Sequence, residues 1–199
     1  MKENSKKRKI AIYIDGSNFY FSVKKTFNLK INIEKFCKKL AGGNNLVKIN
    51  YYISPIEQFN NPKMYAEQQS FFEKLRKISN LSIIFGRLEK RKRDSEIYYV
   101  EKASDVNLAL DLALNAEKGV YDEADLISND GDFSGAVLAA KSFGKEVVYV
   151  AIGNQENPLV YHTLKGVVCF GFSGCMKIPK RNFLHRKCIA FSCDPKLKT

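Results

Sequence analysis

Val147–Ile152, VVYVAI, is apolar along its whole length. A strand exposed on one face alternates polar and apolar residues, whereas a strand apolar throughout must be covered on both faces. That points to the middle of a parallel sheet with helices above and below. The rest of the chain supplies the partners. Lys9–Ile14 (KIAIYI) is a β-branched run broken by Asp15-Gly16-Ser17-Asn18, after which Phe19–Phe27 is amphipathic. Ile33–Leu40 is a short helix stopped by Gly42-Gly43, and Leu46–Ile53 is a second strand. Lys63–Ile78 has helical spacing, and Leu81–Leu88 is expected as a third strand. The charge run Glu89–Arg93 follows, with Ile97–Val100 expected as a short edge strand. Val106–Ala116, Ala124–Ile127 and Phe133–Phe143 read as helix, strand and helix, and Val167–Phe172 is expected to close the domain after a short helix beyond Pro158. Alternating strands and helices predict parallel βαβ units in a three-layer α/β/α domain with a mostly parallel, Rossmann-like central sheet.

With 199 residues, 45% of them hydrophobic, the chain can build one such domain with a real core. The expected divisions are a basic tail at 1–8, the domain at 9–172 and a basic extension at 173–199. The net charge of +12 directs attention to a polyanionic partner, nucleic acid above all, although a solvated basic surface would carry the same charge. No apolar run approaches the roughly 20 residues of a membrane helix, and MKENSKKRK has no signal-peptide character. A cytoplasmic protein without a membrane partner is expected; the oligomeric state is left open. The five cysteines include no CxxC pair, which argues for reduced thiols. A zinc site from Cys169, Cys175, Cys188, Cys193 and His185 lacks the usual close ligand spacing.

Ligand sites in open parallel sheets lie outside the carboxyl ends of the strands. Asp15 follows the first strand, Asp130 and Asp132 follow the strand ending at Ile127-Ser128, and Asp105 opens a helix. Asp122, Glu123 and Asp125 precede their strand and are expected at the opposite end, solvated. Four carboxylates in one pocket repel each other, and a hard cation relieves the repulsion. Oxygen-only donors favour Mg²⁺ or Mn²⁺ over zinc. Asn18 and Ser128 stand where they can orient a carboxylate or a metal-bound water, or simply serve as cap and turn residues. Asp111 points about 120° away from Asp105 on a straight helix and is expected to be structural, paired with a lysine. Lys102 is close enough in sequence to Asp105 to reach a phosphate or a carboxylate.

At these residues the chain resembles the NYN domain family, a branch of the PIN-like nucleases that includes the LabA-like bacterial proteins. IAIYIDGSNFYF (Ile10–Phe21) matches a strand and Asp-Gly-x-Asn turn. EKASDVNLALDLAL (Glu101–Leu114) matches a Lys-x-x-Asp-Val motif with its helix. DLISNDGDFSGAVLAAKSFGKEVVYV (Asp125–Val150) matches Ser-x-Asp-x-Asp-Phe, a helix and a final strand. The chain has Asn129 where the family more often has Gly, and Ala103-Ser104 where Gly-Val is common. The resemblance implies a PIN-like fold and a Mg²⁺- or Mn²⁺-dependent nuclease site, with RNA the commoner substrate class. It carries over Asp15, Asp105, Asp130 and Asp132 as the acidic metal-holding and catalytic residues, with Asn18 in support.

The expected reaction is metal-assisted phosphodiester hydrolysis. Lys90, Arg91, Lys92, Arg93, Lys102 and Ser128 are the expected substrate contacts, with Lys6–Lys9 and Lys177–Lys187 as further basic segments. Tyr98 and Tyr99 are candidates for base stacking, or for plain strand packing. His162 and His185 lie outside the acidic motifs. The alternative is a non-catalytic RNA-binding or protein-interaction module on the same fold. A dinucleotide-binding reading lacks GxGxxG and a P-loop, and an aspartyl phosphatase lacks a second acid after Gly16-Ser17.

Overall fold

The computed structural model describes residues 7–27, 30–59, 61–94, 96–152 and 166–170. The helix expected after Pro158, the C-terminal basic segment, His162, His185 and Cys175, Cys188 and Cys193 lie outside them. Six parallel strands form the central sheet in the order β3-β2-β1-β6-β7-β8. They are β1 (Lys9–Asp15), β2 (Asn45–Ile53), β3 (Leu81–Phe85), β6 (Glu123–Ile127), β7 (Glu146–Ile152) and β8 (Gly166–Phe170). Five helices cover them: α1 (Gly16–Phe27), α2 (Ile33–Ala41), α3 (Pro62–Arg76), α4 (Ser104–Glu117) and α5 (Ser134–Ser142).

The two-residue period of β1 creates the layers. Ile10, Ile12 and Ile14 point into a core with Phe19, Val23, Phe36, Leu40, Phe72 and Leu75, from α1, α2 and α3. Ala11 and Tyr13 point the other way, into a core with Leu108, Leu112, Val137 and Ala140, from α4 and α5. A one-residue slip of β1 would exchange the two sets. Helix ends follow local chemistry. Asn32 caps α2 through a 3.0 Å bond from the Lys35 N–H, and Gly42 ends it in the left-handed conformation. Asn61 caps α3 with Pro62 in its first turn.

Three expectations need correction. The third strand ends at Phe85, not Leu88, because the chain breaks at Gly86. The charge run lies within a strand, β4 (Arg87–Arg93), paired antiparallel with β5 (Glu96–Lys102) in a two-stranded ribbon separate from the main sheet. Ile97–Val100 is therefore no edge of that sheet. Asp125 is buried rather than solvated: β6 begins at Glu123, so Asp125 sits mid-strand, registered with Ile12 on one side and Val148 on the other. Glu123 and Asp122 do lie at the end expected for them, bonded to the Arg8 side chain and the Lys9 N–H.

The strand order reverses between β1 and β6. At such a switch point the flanking loops diverge to opposite faces and leave a crevice at the strands' carboxyl ends. Asp15 ends β1 and Ser128 follows β6, so they face each other across it.

Candidate functional site

Asp15 both ends β1 and caps α1. Its Oδ1 accepts from the Asn18 N–H at 3.0 Å, and its Oδ2 from the Ser128 hydroxyl at 2.9 Å. These bonds favour the carboxylate, but burial outweighs them and pushes the carboxyl up to about 6, with Asp105 and Glu101 adding repulsion. Ser128 Oγ also accepts from the Asp130 N–H at 3.1 Å, and Asp130 Oδ1 accepts from the Asp132 N–H at 3.0 Å. One chain of bonds thus sets Asp15, Asp130 and Asp132 in order. Ser128 itself is only 2% exposed and its oxygen is committed on both sides, so it positions the acids rather than touching substrate.

Asn18 is a positioning residue as well. Its backbone, not its side chain, serves Asp15; its Oδ1 accepts from the Asn129 N–H at 3.1 Å and from Ser22 Oγ at 3.3 Å. Asn129 Nδ2 in turn donates to Ser22 Oγ and to the Ile152 carbonyl, and its Oδ1 accepts from the Ile152 N–H. The side chain that replaces the family's common glycine therefore pins the β6 loop between α1 and the end of β7.

Asp105 stands exposed in the first turn of α4. The part of its carboxyl that is covered raises it first, then the repulsion of Glu101, Asp130 and Asp132, every charge in that set being negative. The residue before the helix, Ala103, has φ 72°, ψ −16°, the left-handed region that favours glycine. This is the position where Gly is common in the family.

Glu101 was not among the residues singled out in the sequence. Its Oε2 accepts from Ser17 Oγ at 2.7 Å; its Oε1 accepts from the Ser54 N–H at 3.0 Å and from Ser104 Oγ at 2.6 Å. One carboxylate so brackets the start of α1, the chain leaving β2 and the start of α4. Gly86 makes this possible, since a Cβ there would run into Ser104 Oγ and come within 2.6 Å of Ser54 Oγ. The hairpin brings Glu101 to the pocket. Without that pairing it reads as one more strand charge.

Lys102 does not join the acids. It pairs with Arg87 across the ribbon, one residue on from Glu101 and so on the opposite face, and it is absent from the charges acting on Asp15 and Asp105. Asp111 is structural, but its partners are the Tyr52 hydroxyl at 2.8 Å and Asn50 Nδ2 at 3.3 Å, not a lysine. A hydroxyl reaches it there because α4 packs on the β2 face that carries Asn50 and Tyr52.

Among the described residues, none of Asp15, Glu101, Asp105, Asp130 and Asp132 has a lysine or arginine within ion-pair distance. Nor do any three His, Cys, Asp or Glu side chains among them converge closely enough to enclose a metal ion. The acids are near enough to repel, and hydrogen bonds through Ser128 fix the places of Asp15, Asp130 and Asp132. The donors are carboxylates, and Cys37, the one free thiol described, is buried. Such a set suits a hard cation that keeps much of its water, as Mg²⁺ does when one or two carboxylates bind it.

A parallel sheet covered on both faces, with acids at its switch point, defines a PIN-like α/β domain. The sequence matches the NYN domain over residues 9–164, and the chain belongs to that family, part of the PIN-like nuclease superfamily. It is thus a nuclease-like domain, which implies a nucleic-acid substrate. A crystal structure of a protein of unknown function from Vibrio parahaemolyticus, VPA0982, is similar in fold. Its TM-score is 0.64 at 21% identity, covering 84% of this chain and 95% of that one. MurG of Acinetobacter baumannii aligns with a TM-score of 0.42 at 14% identity over 92% of this chain and 44% of its own, too weak a likeness to bear on function. No curated protein matches the chain. No described helix is long and apolar enough to cross a membrane.

Proposed function

We propose that the protein is a divalent-metal-dependent nuclease that hydrolyses phosphodiester bonds in RNA. One observation carries this reading: Asp15 and Asp105 are pushed toward protonation, with negative neighbours contributing and no basic partner beside them among the described residues. Acids held together against their own repulsion are suited to a cation. Asp15, Asp105, Asp130 and Asp132 would hold Mg²⁺ or Mn²⁺, which when bound neutralises phosphate charge and makes a water more acidic. Ser128 and the Asn18 N–H keep the Asp15 carboxylate oriented, as outer hydrogen bonds do for metal ligands generally. Ser128 also holds the Asp130 backbone, and Glu101 holds the turn that carries Asp105. RNA is the substrate class that the family likeness supports.

A second reading, a non-catalytic RNA-binding or protein-interaction module, draws on the spacing of the acids, which do not converge on one point. Incubation with single-stranded and structured RNA decides between them. Cleavage with Mn²⁺ or Mg²⁺ that EDTA abolishes, and that Asp15→Asn or Asp130→Asn removes, is the expected result. RNA bound but left intact with either metal, and bound equally by both variants, would establish the module instead.

A further inference from the structure

The β4–β5 ribbon has two faces, and only one of them leads to the acids. Directly paired residues of an antiparallel ribbon share a face, and side chains two apart repeat on it. The pairs Leu88–Glu101, Lys90–Tyr99 and Lys92–Ile97 therefore form one face. Glu101 anchors that face beside the pocket through Ser17, Ser54 and Ser104. The other face carries Arg87 with Lys102 and Arg91 with Tyr98.

We infer that the Glu101 face of the ribbon is a guide for a single nucleic-acid strand entering the acidic pocket. This rests on the nuclease reading for what happens in the pocket, but not for the binding. Among the described residues no carboxylate lies within ion-pair distance of the exposed Lys90 and Lys92, whereas Arg91 on the other face stands 3.7 Å from Glu89. Their side chains repeat at about 7 Å along the strand, a step comparable to that between phosphates of an extended strand. Tyr99, opposite Lys90, places an aromatic ring beside a cation, the combination that takes a stacked base and its phosphate. A duplex keeps its base faces stacked inside and offers Tyr99 nothing. The ribbon's seven-residue strands give the guide a length of about 20 Å, a few nucleotides. The cations also offset the repulsion that an acidic pocket exerts on phosphate.

The test is binding of a fluorescent single-stranded RNA to the full chain in EDTA, read by anisotropy at about 0.15 M salt, where screening confines charge effects to near neighbours. Circular dichroism confirms folding of each variant. Lys90→Glu with Lys92→Glu should weaken binding at least tenfold, and Arg91→Glu with Arg93→Glu at least fivefold less than that. Lys90→Ala with Lys92→Ala should flatten the log–log salt slope by about 1.4, two single-strand phosphates at about 0.7 each. Tyr99→Ala should weaken binding with the slope unchanged, and Tyr99→Phe should restore it. Equal losses from the two faces, or a duplex of the same sequence bound as tightly as the single strand, would overturn the guide. If wild-type chain binds as described yet cleaves nothing with either metal, the guide stands and the nuclease reading falls.

Discussion

The Ser128 hydroxyl donates to Asp15 Oδ2 at 2.9 Å, joining the loop after β6 to the end of β1 across the point where the sheet's strand order reverses. Ser128 is buried and also receives the Asp130 N–H. A single hydroxyl therefore sets the spacing of acids that lie more than a hundred residues apart in the chain.

The charge on Asp15 works against the metal-free fold. Its carboxyl is raised from 3.8 to about 6, so between those values the folded state holds a proton that the unfolded state has released. Stability of the EDTA-treated protein accordingly rises as pH falls from above 6 toward 4, by roughly 3 kcal/mol if the whole shift is realised. Asp105, also raised, acts with the same sign. Thermal melts at pH 7.5 and 5.5 check this: the gain at pH 5.5 should shrink in Asp15→Asn, and that variant should melt higher than wild type at pH 7.5. An equal pH response in both proteins would mean that burial does not govern this carboxyl.

Ala103 carries strain that glycine would relieve. An alanine at φ 72° bears a steric cost of roughly 1–2 kcal/mol, partly offset by its lower freedom in the unfolded chain. Ala103→Gly should stabilise by about 1 kcal/mol, seen as a higher urea midpoint, with cleavage retained because Asp105 keeps its place.

Removal of Glu101 should reach both stability and activity. Glu101→Ala takes the acceptor from the Ser17 hydroxyl and the buried Ser54 N–H, and leaves Ser104 Oγ only its contact with Ser54 Oγ, at about 1–3 kcal/mol for a buried donor left without a partner. Glu101→Gln keeps an acceptor oxygen and removes one negative charge from beside Asp15 and Asp105. The glutamine variant should therefore unfold closer to wild type and show its acidic activity limb at lower pH. A pH–rate profile unmoved in Glu101→Gln would show that Glu101 acts only as a bracket.

Two glycines should respond oppositely to alanine. At Gly86 the new methyl meets Ser104 Oγ, Ser54 Oγ at 2.6 Å and the Lys102 carbonyl at 2.7 Å. Gly86→Ala should cost about 1–3 kcal/mol and lower activity by displacing the partners of Glu101. Gly135 lies in α5 with nothing within 4 Å of a built Cβ, so Gly135→Ala should add about 0.5–1 kcal/mol. Chemical denaturation of the two variants compares them directly.

The layered fold was legible because apolar runs such as VVYVAI leave few options, and Asp15, Asp105, Asp130 and Asp132 stood out at strand ends and a helix start. Glu101 did not, because its place depends on the hairpin. RLEKRKR has one apolar residue in seven, and hydrophobic periodicity cannot register a strand without a buried face. Asp125 was misjudged for a related reason: it lies inside Ala124–Ile127, but as the third acid after Asp122 and Glu123 it was grouped with the charged approach to the strand and not with its buried residues. The partner of Asp111 was out of reach too, since hydroxyl pairing with Tyr52 depends on how α4 crosses β2.

β6 lies between β1 and β7, although roughly a hundred residues separate it from β1 in the chain. During synthesis, then, Asp15 is made early and waits: Asp130 and Asp132 arrive only with β6, the strand that adds to the edge left open at β1 before β7 and β8 extend the sheet. A nascent or truncated chain that stops before Ser128 has Asp15 without the hydroxyl that orients it or the acids that stand with it.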